Sequence, residues 1–162
     1  MIKLYKPFEG HPDYNCFGCS PGNPIGLNLE FNEDGEYIIA KWRPRPEFQG
    51  FKNVLHGGIQ STLMDEIAAW CVNIKMDTAG VTKELEVKFL KSVYTTDTKL
   101  TLRARLLKTE KNIAFIRVEL LNSRNELCSE GEFTYFTFPK EIAQRKLLFP
   151  GKEAFYKRSP YL

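Results

Sequence analysis

A chain of 162 residues, 43% hydrophobic and 27% charged, has enough apolar material for one core and little for a second. No apolar run approaches the ~18 residues of a membrane span, and Met1 to Lys6 lack the apolar stretch of a secretory leader, so a cytoplasmic protein with no membrane partner is expected. The net charge of +3 sits unevenly: residues 139–162 carry six basic and two acidic side chains, so a nucleic-acid partner would have only that tail to hold, and none is expected.

In chain order, residues 1–26 read as an ordered N-terminal wrap, with turn signals at Cys16-Phe17-Gly18-Cys19 and Gly22 to Leu27. Cys16 and Cys19 form one C-x-x-C. A structural zinc site normally takes four ligands, and His11 is the only nearby third candidate. Two reduced, half-buried thiols and no metal are therefore expected. A turn at Asn32 to Gly35 leads to a strand from about Tyr37 to Trp42. A Pro- and Gly-containing loop, residues 43–53, then runs into His56-Gly57-Gly58.

The segment from about Gly58 to Lys75 predicts the one long helix. At ~100° per residue, Ile59, Leu63, Ile67, Trp70, Cys71 and Ile74 share one broad face. The opposite face holds Gly58, Ser61, Asp65, Ala68, Ala69 and Val72, with Glu66 at the edge of the apolar face. Small residues where a solvent face would carry Lys and Glu predict close approach on this second side too. After Asp77 to Gly80 the period changes to two. Val81, Leu85, Val87 and Phe89 alternate with Thr82, Glu84, Glu86 and Lys88; Leu100 to Leu106, Ala114 to Leu120 and Leu127 to Phe138 supply three further strands. A strand, a long helix and four consecutive antiparallel strands define an α+β class, in which a curved antiparallel sheet wraps around one long central helix. This domain spans residues 27–138. The basic C-terminal extension, residues 139–162, carries Leu147, Leu148, Phe149, Phe155 and Tyr156 and is expected to dock.

Phe48-Gln49-Gly50, Leu55-His56-Gly57-Gly58-Ile59 and Leu63-Met64-Asp65-Glu66 together resemble the hotdog-fold acyl-CoA thioesterases, specifically their phenylacetate-pathway-like branch. The preface Cys16-Phe17 with Asn23-Pro24 and Gly26-Leu27, and the strand Val81-Thr82 with Val87 to Leu90, extend the likeness over residues 16–138. The resemblance implies that the Gly57 N–H serves as an oxyanion donor and that Asp65, nine residues after His56, is nucleophile or general base. It also implies that Gln49 holds water or the carboxylate and that Thr82 contributes a hydroxyl; His56, with no nucleophile and orienting acid to complete a triad, is expected to fix the helix start or to hydrogen-bond near the site. Gly58, Glu66, Lys88, Phe89 and Lys91 are expected beside the substrate. Lys88, Lys91, Arg103 and Arg105 are candidates for the coenzyme A phosphates, and Trp70, Phe89 and the tail aromatics for the acyl group. Coenzyme A enters as part of the substrate, and no cofactor is implied. The competing functions are a hotdog hydratase or dehydratase, which needs an acid–His pair, and a non-catalytic acyl-CoA-binding or regulatory module.

Gly57 and Asp65 lie eight residues apart on one helix, about 12 Å along its axis. A thioester carbon needs its attacking group within about 3 Å and the oxyanion donor on the same carbonyl. One helix cannot supply both. A homodimer with shared sites is expected, and such dimers can pair again into a homotetramer.

Overall fold

The computed structural model describes residues 1–162. Its strands are β1 (Ile2–Leu4), β2 (Glu30–Asp34), β3 (Tyr37–Trp42), β4 (Gly80–Phe89), β5 (Leu100–Glu110), β6 (Ile113–Leu121) and β7 (Leu127–Thr137). Helix α1 (Gly57–Met76) lies between β3 and β4, and α2 (Lys140–Leu147) follows β7. Short 3-10 turns occupy Pro46–Phe48 and Lys152–Tyr156. All strands join one antiparallel sheet in the order β1-β2-β3-β5-β6-β7-β4.

The period-two segments form strands because one face of each is buried. Ala114, Ile116, Val118 and Leu120 of β6 point inward beside Leu100, Leu102 and Ala104 of β5 and Phe133 and Tyr135 of β7. Leu63, Met64, Ile67 and Cys71 of α1 meet this concave face and are fully buried. The helix starts on His56, whose ring accepts from the Gly58 N–H, and stops at Asp77 in the left-handed conformation, φ 50°. The sheet therefore wraps one helix, as expected. None of the helices is long and apolar enough to cross a membrane.

Three expectations change. Asn32 to Asp34 belong to β2, and the turn falls on Gly35-Glu36, where Gly35 takes φ +59°. Only Phe31 marks this strand as apolar; its polar Glu33 is instead fixed by Lys75 and by the Tyr156 hydroxyl at 2.7 Å. The small-residue face of α1 is closed partly from within, since the sheet covers Ala68 and Val72, while Ser61, Asp65 and Ala69 stay half-buried and Gly58 exposed. Trp70 and the tail aromatics are core. Trp70 stacks on Phe31 at 4.0 Å and meets Phe155 edge-on at 5.0 Å, and Phe149 lies beside Phe155. The basic extension thus folds back onto the body, tied by the Tyr5 N–H to the Phe155 carbonyl (2.7 Å) and by Lys140 to Asp77 (2.5 Å).

Candidate active site

The loop before α1 converges on its first turn. The His56 carbonyl accepts from the Gln60 N–H at 3.0 Å, and its Nδ1 accepts from the Gly58 N–H at 2.8 Å. The Gly57 N–H has no partner within the chain. It is one of the donors that every helix start leaves free, at the end where the helix dipole favours negative charge. At 58 a Cβ would stand 3.0 Å from the His56 Nδ1, a tight contact that the imidazole would have to relieve by a few tenths of an ångström. At 57 a Cβ would lie 3.4 Å from the Phe89 ring, an ordinary contact. Gln49 pairs with Leu55 in an isolated bridge, and its Oε1 accepts from the Asn53 N–H at 3.3 Å. Gln49, His56, Gly58, Ile59 and Thr62 border an open cleft of about 450 Å³.

Two turns further along α1 the Asp65 carboxylate is held by two hydroxyls. Thr82 of β4 donates to it at 3.0 and 3.2 Å, and Tyr135 of β7 donates to Oδ1 at 2.5 Å and to the Asp65 carbonyl at 2.8 Å. Thr82 and Tyr135 are register partners in the sheet. Their hydroxyls fix the carboxylate against the wall of the sheet and leave Asp65 half-buried.

Strict alternation along β4 puts Thr82 on the outer face with Glu84, Glu86 and Lys88. The register instead shifts between Thr82 and Glu84. A bulge places one extra residue there and reverses the parity, so Thr82 faces α1 together with Val87 and Phe89. Tyr135 escaped the sequence reading altogether. The signal available was an inward-facing Tyr in the β7 alternation, because a buried phenol seeks a partner for its hydroxyl. It is 2% exposed, and burial followed by the Asp65 charge pushes its hydroxyl well above the ordinary tyrosine range, so it acts as a donor.

The remaining candidates are not gathered here. Lys88 lies on the outer face of the sheet, in a groove of about 410 Å³ whose lining includes Glu84, Glu86, Glu130 and Glu132. Lys91 pairs with Glu126 at 3.6 Å, Arg103 with Glu119, and Arg105 with Glu36 at 3.8 Å. Glu66 turns away from Asp65. Its carboxylate accepts from the Trp70 indole N–H at 3.2 Å and meets the Cys16 thiol at 3.6 and 3.7 Å. Burial, then the charge of Cys16, raises the Glu66 carboxyl to about 7, while the Cys19 thiol and nearby backbone N–H groups draw the Cys16 thiol down to about 5. His11, the third group expected near the cysteines, packs against Tyr161 instead, with ring centroids 4.8 Å apart. Asp65, Thr82, Gly57, His56, Gly58, Gln49 and Phe89 thus lie along one face of α1 and its surroundings, whereas Glu66, Lys88 and Lys91 point elsewhere.

A long helix held in the concave face of an antiparallel sheet is the hotdog fold. A thioesterase superfamily protein of known structure superposes with a TM-score of 0.68 at 16% identity, over 75% of this chain and 62% of that one, so the chain spans less than two thirds of that neighbour. A Streptococcus mutans UA159 protein solved bound to acetyl-CoA superposes with a TM-score of 0.64 at 22% identity, over 70% of this chain and 90% of that one. Residues 52–129 match the Thioesterase superfamily. An esterase-named protein of Sulfurisphaera tokodaii is 31% identical over 107 residues, covering 66% of this chain and 78% of that protein. The chain belongs to the thioesterase superfamily.

Proposed function

We propose that the protein hydrolyses acyl-coenzyme A thioesters as a homodimer, in the manner of the phenylacetate-pathway-like branch. Asp65 attacks the thioester carbon or activates water against it, and the Gly57 N–H of the partner subunit receives the developing oxyanion. The observation that carries this reading is the Asp65 carboxylate, oriented by the Thr82 and Tyr135 hydroxyls of the sheet and borne on the same helix that begins with an unpaired Gly57 N–H. Family membership and a neighbour bound to acetyl-CoA support coenzyme A thioesters as the substrate class.

The dimer has its own support in β4. It is the last strand of the sheet, ten residues long, and it exposes Val81 (47%), Leu85 (43%) and Phe89 (52%). A long apolar edge of this kind is a template for pairing with another strand. Two copies joined antiparallel about Glu86, with the bulge at Lys83 counted as one step, set Thr82 beside the partner's Phe89. Thr82 touches Asp65, and Phe89 covers Gly57. The same pairing therefore carries Asp65 of one protomer toward the partner's Gly57 and closes the ~12 Å gap that one helix leaves.

Thiol release from a panel of aliphatic and aryl acyl-CoA esters tests the activity. Turnover is expected, and its acyl preference identifies the substrate. Binding of acyl-CoA without thiol release supports a non-catalytic module and overturns the proposal. Tyr135→Phe keeps the buried ring and removes only the hydroxyl on Asp65. It is expected to preserve the fold and lower kcat by up to about 100-fold with little change in KM, since a misplaced group costs orientation rather than binding. An unchanged kcat would remove Tyr135 from the machinery.

A further inference from the structure

The Cys16–Cys19 turn and Glu66 form a second cluster, separate from the cleft and unused by the proposed chemistry. The two thiol sulfurs and a Glu66 carboxylate oxygen all lie within 4.8 Å of one another. The turn is closed on itself, the Ser20 N–H donating to the Cys16 carbonyl at 3.0 Å. Its flank is tied to the approach to β2 by Leu27 N–H to the Phe17 carbonyl (2.8 Å) and Leu29 N–H to the Gly18 carbonyl (3.0 Å). The loop is thus held in place before any ligand arrives.

Glu66 reaches this turn from α1, 50 residues away in sequence. Position 18 has to be glycine for that, because a Cβ there would stand 2.4 Å from the Glu66 Oε2. The carboxylate has no cationic partner in the chain; its contacts are the Cys16 thiol and the Trp70 N–H. A carboxylate drawn out of water is normally paired, neutralised or bound to a metal. The Trp70 N–H meanwhile orients it, as an outer hydrogen bond orients a metal ligand.

We propose that Cys16, Cys19 and Glu66 bind one zinc ion, which fastens the N-terminal segment to α1. Thiolate sulfurs bind zinc at about 2.3 Å and carboxylate oxygens at about 2.0–2.2 Å, so tetrahedral ligands stand about 3.5 Å apart for S and O and about 3.8 Å for two sulfurs. The observed Cys16–Glu66 separations of 3.6 and 3.7 Å match the first of these. Two thiolates and a carboxylate suit zinc over calcium or magnesium, which take oxygen ligands. Water fills the fourth position. The Tyr14 hydroxyl, 3.0 Å from the Cys19 Sγ, hydrogen-bonds to that thiolate from outside the ligand set. Three anionic ligands and a divalent cation leave one negative charge; the buried Lys6, whose ammonium donates to the Asn28 Oδ1 at 2.6 Å, is the cation whose field reaches the two thiols. The metal then clamps α1 at the residue next to Asp65, keeps one open, water-filled position, and stands apart from the reacting groups.

Cobalt(II) is the probe. The full-length protein is reduced, treated with chelator, verified to have free Cys16 and Cys19 thiols, and titrated with Co²⁺. One equivalent per chain is expected to give thiolate-to-cobalt charge-transfer absorption and tetrahedral d–d bands, both lost on adding Zn²⁺. Zinc at a hundredfold excess over its Kd is expected to raise Tm by roughly 5–10 °C. Cys16→Ser with Cys19→Ser should abolish the spectrum. Glu66→Gln, which keeps the size and the folded state, should weaken binding at least tenfold, and Asp65→Asn should leave it unchanged. Absence of the charge-transfer band with both thiols reduced overturns the proposal, as does a band that persists in the double serine variant or a Cys16–Cys19 disulfide forming in place of metal uptake.

Discussion

Asp65→Asn is expected to lower acyl-CoA turnover by about 10²–10⁴-fold while leaving fold and assembly unchanged. The substitution keeps the shape of the side chain, and its amide oxygen can still accept from Thr82 and Tyr135, the two donors that position the carboxylate. What it removes is the basic, nucleophilic oxygen. No other carboxylate is ready to replace it. Glu66, the adjacent acid, faces Cys16 and Trp70 on the other side of α1. The decline should fall on kcat more than on KM, because the interaction belongs to the transition state. A variant that keeps more than a tenth of wild-type kcat, at the wild-type oligomeric mass, would move the chemistry away from Asp65.

The second large effect concerns a hydrogen atom of the backbone. Side-chain replacement at 57 leaves the proposed oxyanion donor in place, since the N–H is present in every residue except proline. Gly57→Pro deletes it. The position tolerates proline: residue 57 is the first of α1, where the N–H has no intrahelical partner and proline is favoured. His56 already has ψ 132°, outside the α region that a following proline disfavours. The space beside position 57 admits a Cβ at 3.4 Å from Phe89. Loss of one preorganised donor is expected to cost about 10²–10³-fold in kcat with the thermal transition preserved. A folded Gly57→Pro dimer with wild-type kcat would show that the oxyanion is held elsewhere.

Much of this arrangement could be read from the sequence because it follows from repeating patterns. The three-to-four spacing from Ile59 to Ile74 marks the central helix. The two-residue spacing of β5, β6 and β7 marks strands with one buried face. The unread parts depend on contacts between distant segments or on a local break in a pattern. Polar Asn32, Glu33 and Asp34 give β2 the composition of a turn, and what holds Glu33 in the strand is Lys75, 42 residues away. Thr82 faces α1 only because a bulge reverses the alternation of β4. Tyr135 reaches Asp65 across 70 residues. Glu66 joins Cys16 across 50, which is why the two cysteines looked short of a third ligand. Spacing within one segment can place Asp65 on a helix face. It does not say which hydroxyls will meet it there.

The sharing of one site between two subunits is tested most directly by mixing the two lesions. Gly57→Pro and Asp65→Asn chains, each inactive alone, are co-refolded in equal amounts. Half of the resulting dimers are mixed, and each mixed dimer pairs one intact Asp65 with one intact Gly57 across the interface. Recovery of about a quarter of wild-type activity is expected for random pairing in a two-fold dimer. If the mixed sample stays as inactive as its parents although mass analysis shows the mixed dimer, then donor and carboxylate do not meet between subunits, and the account fails.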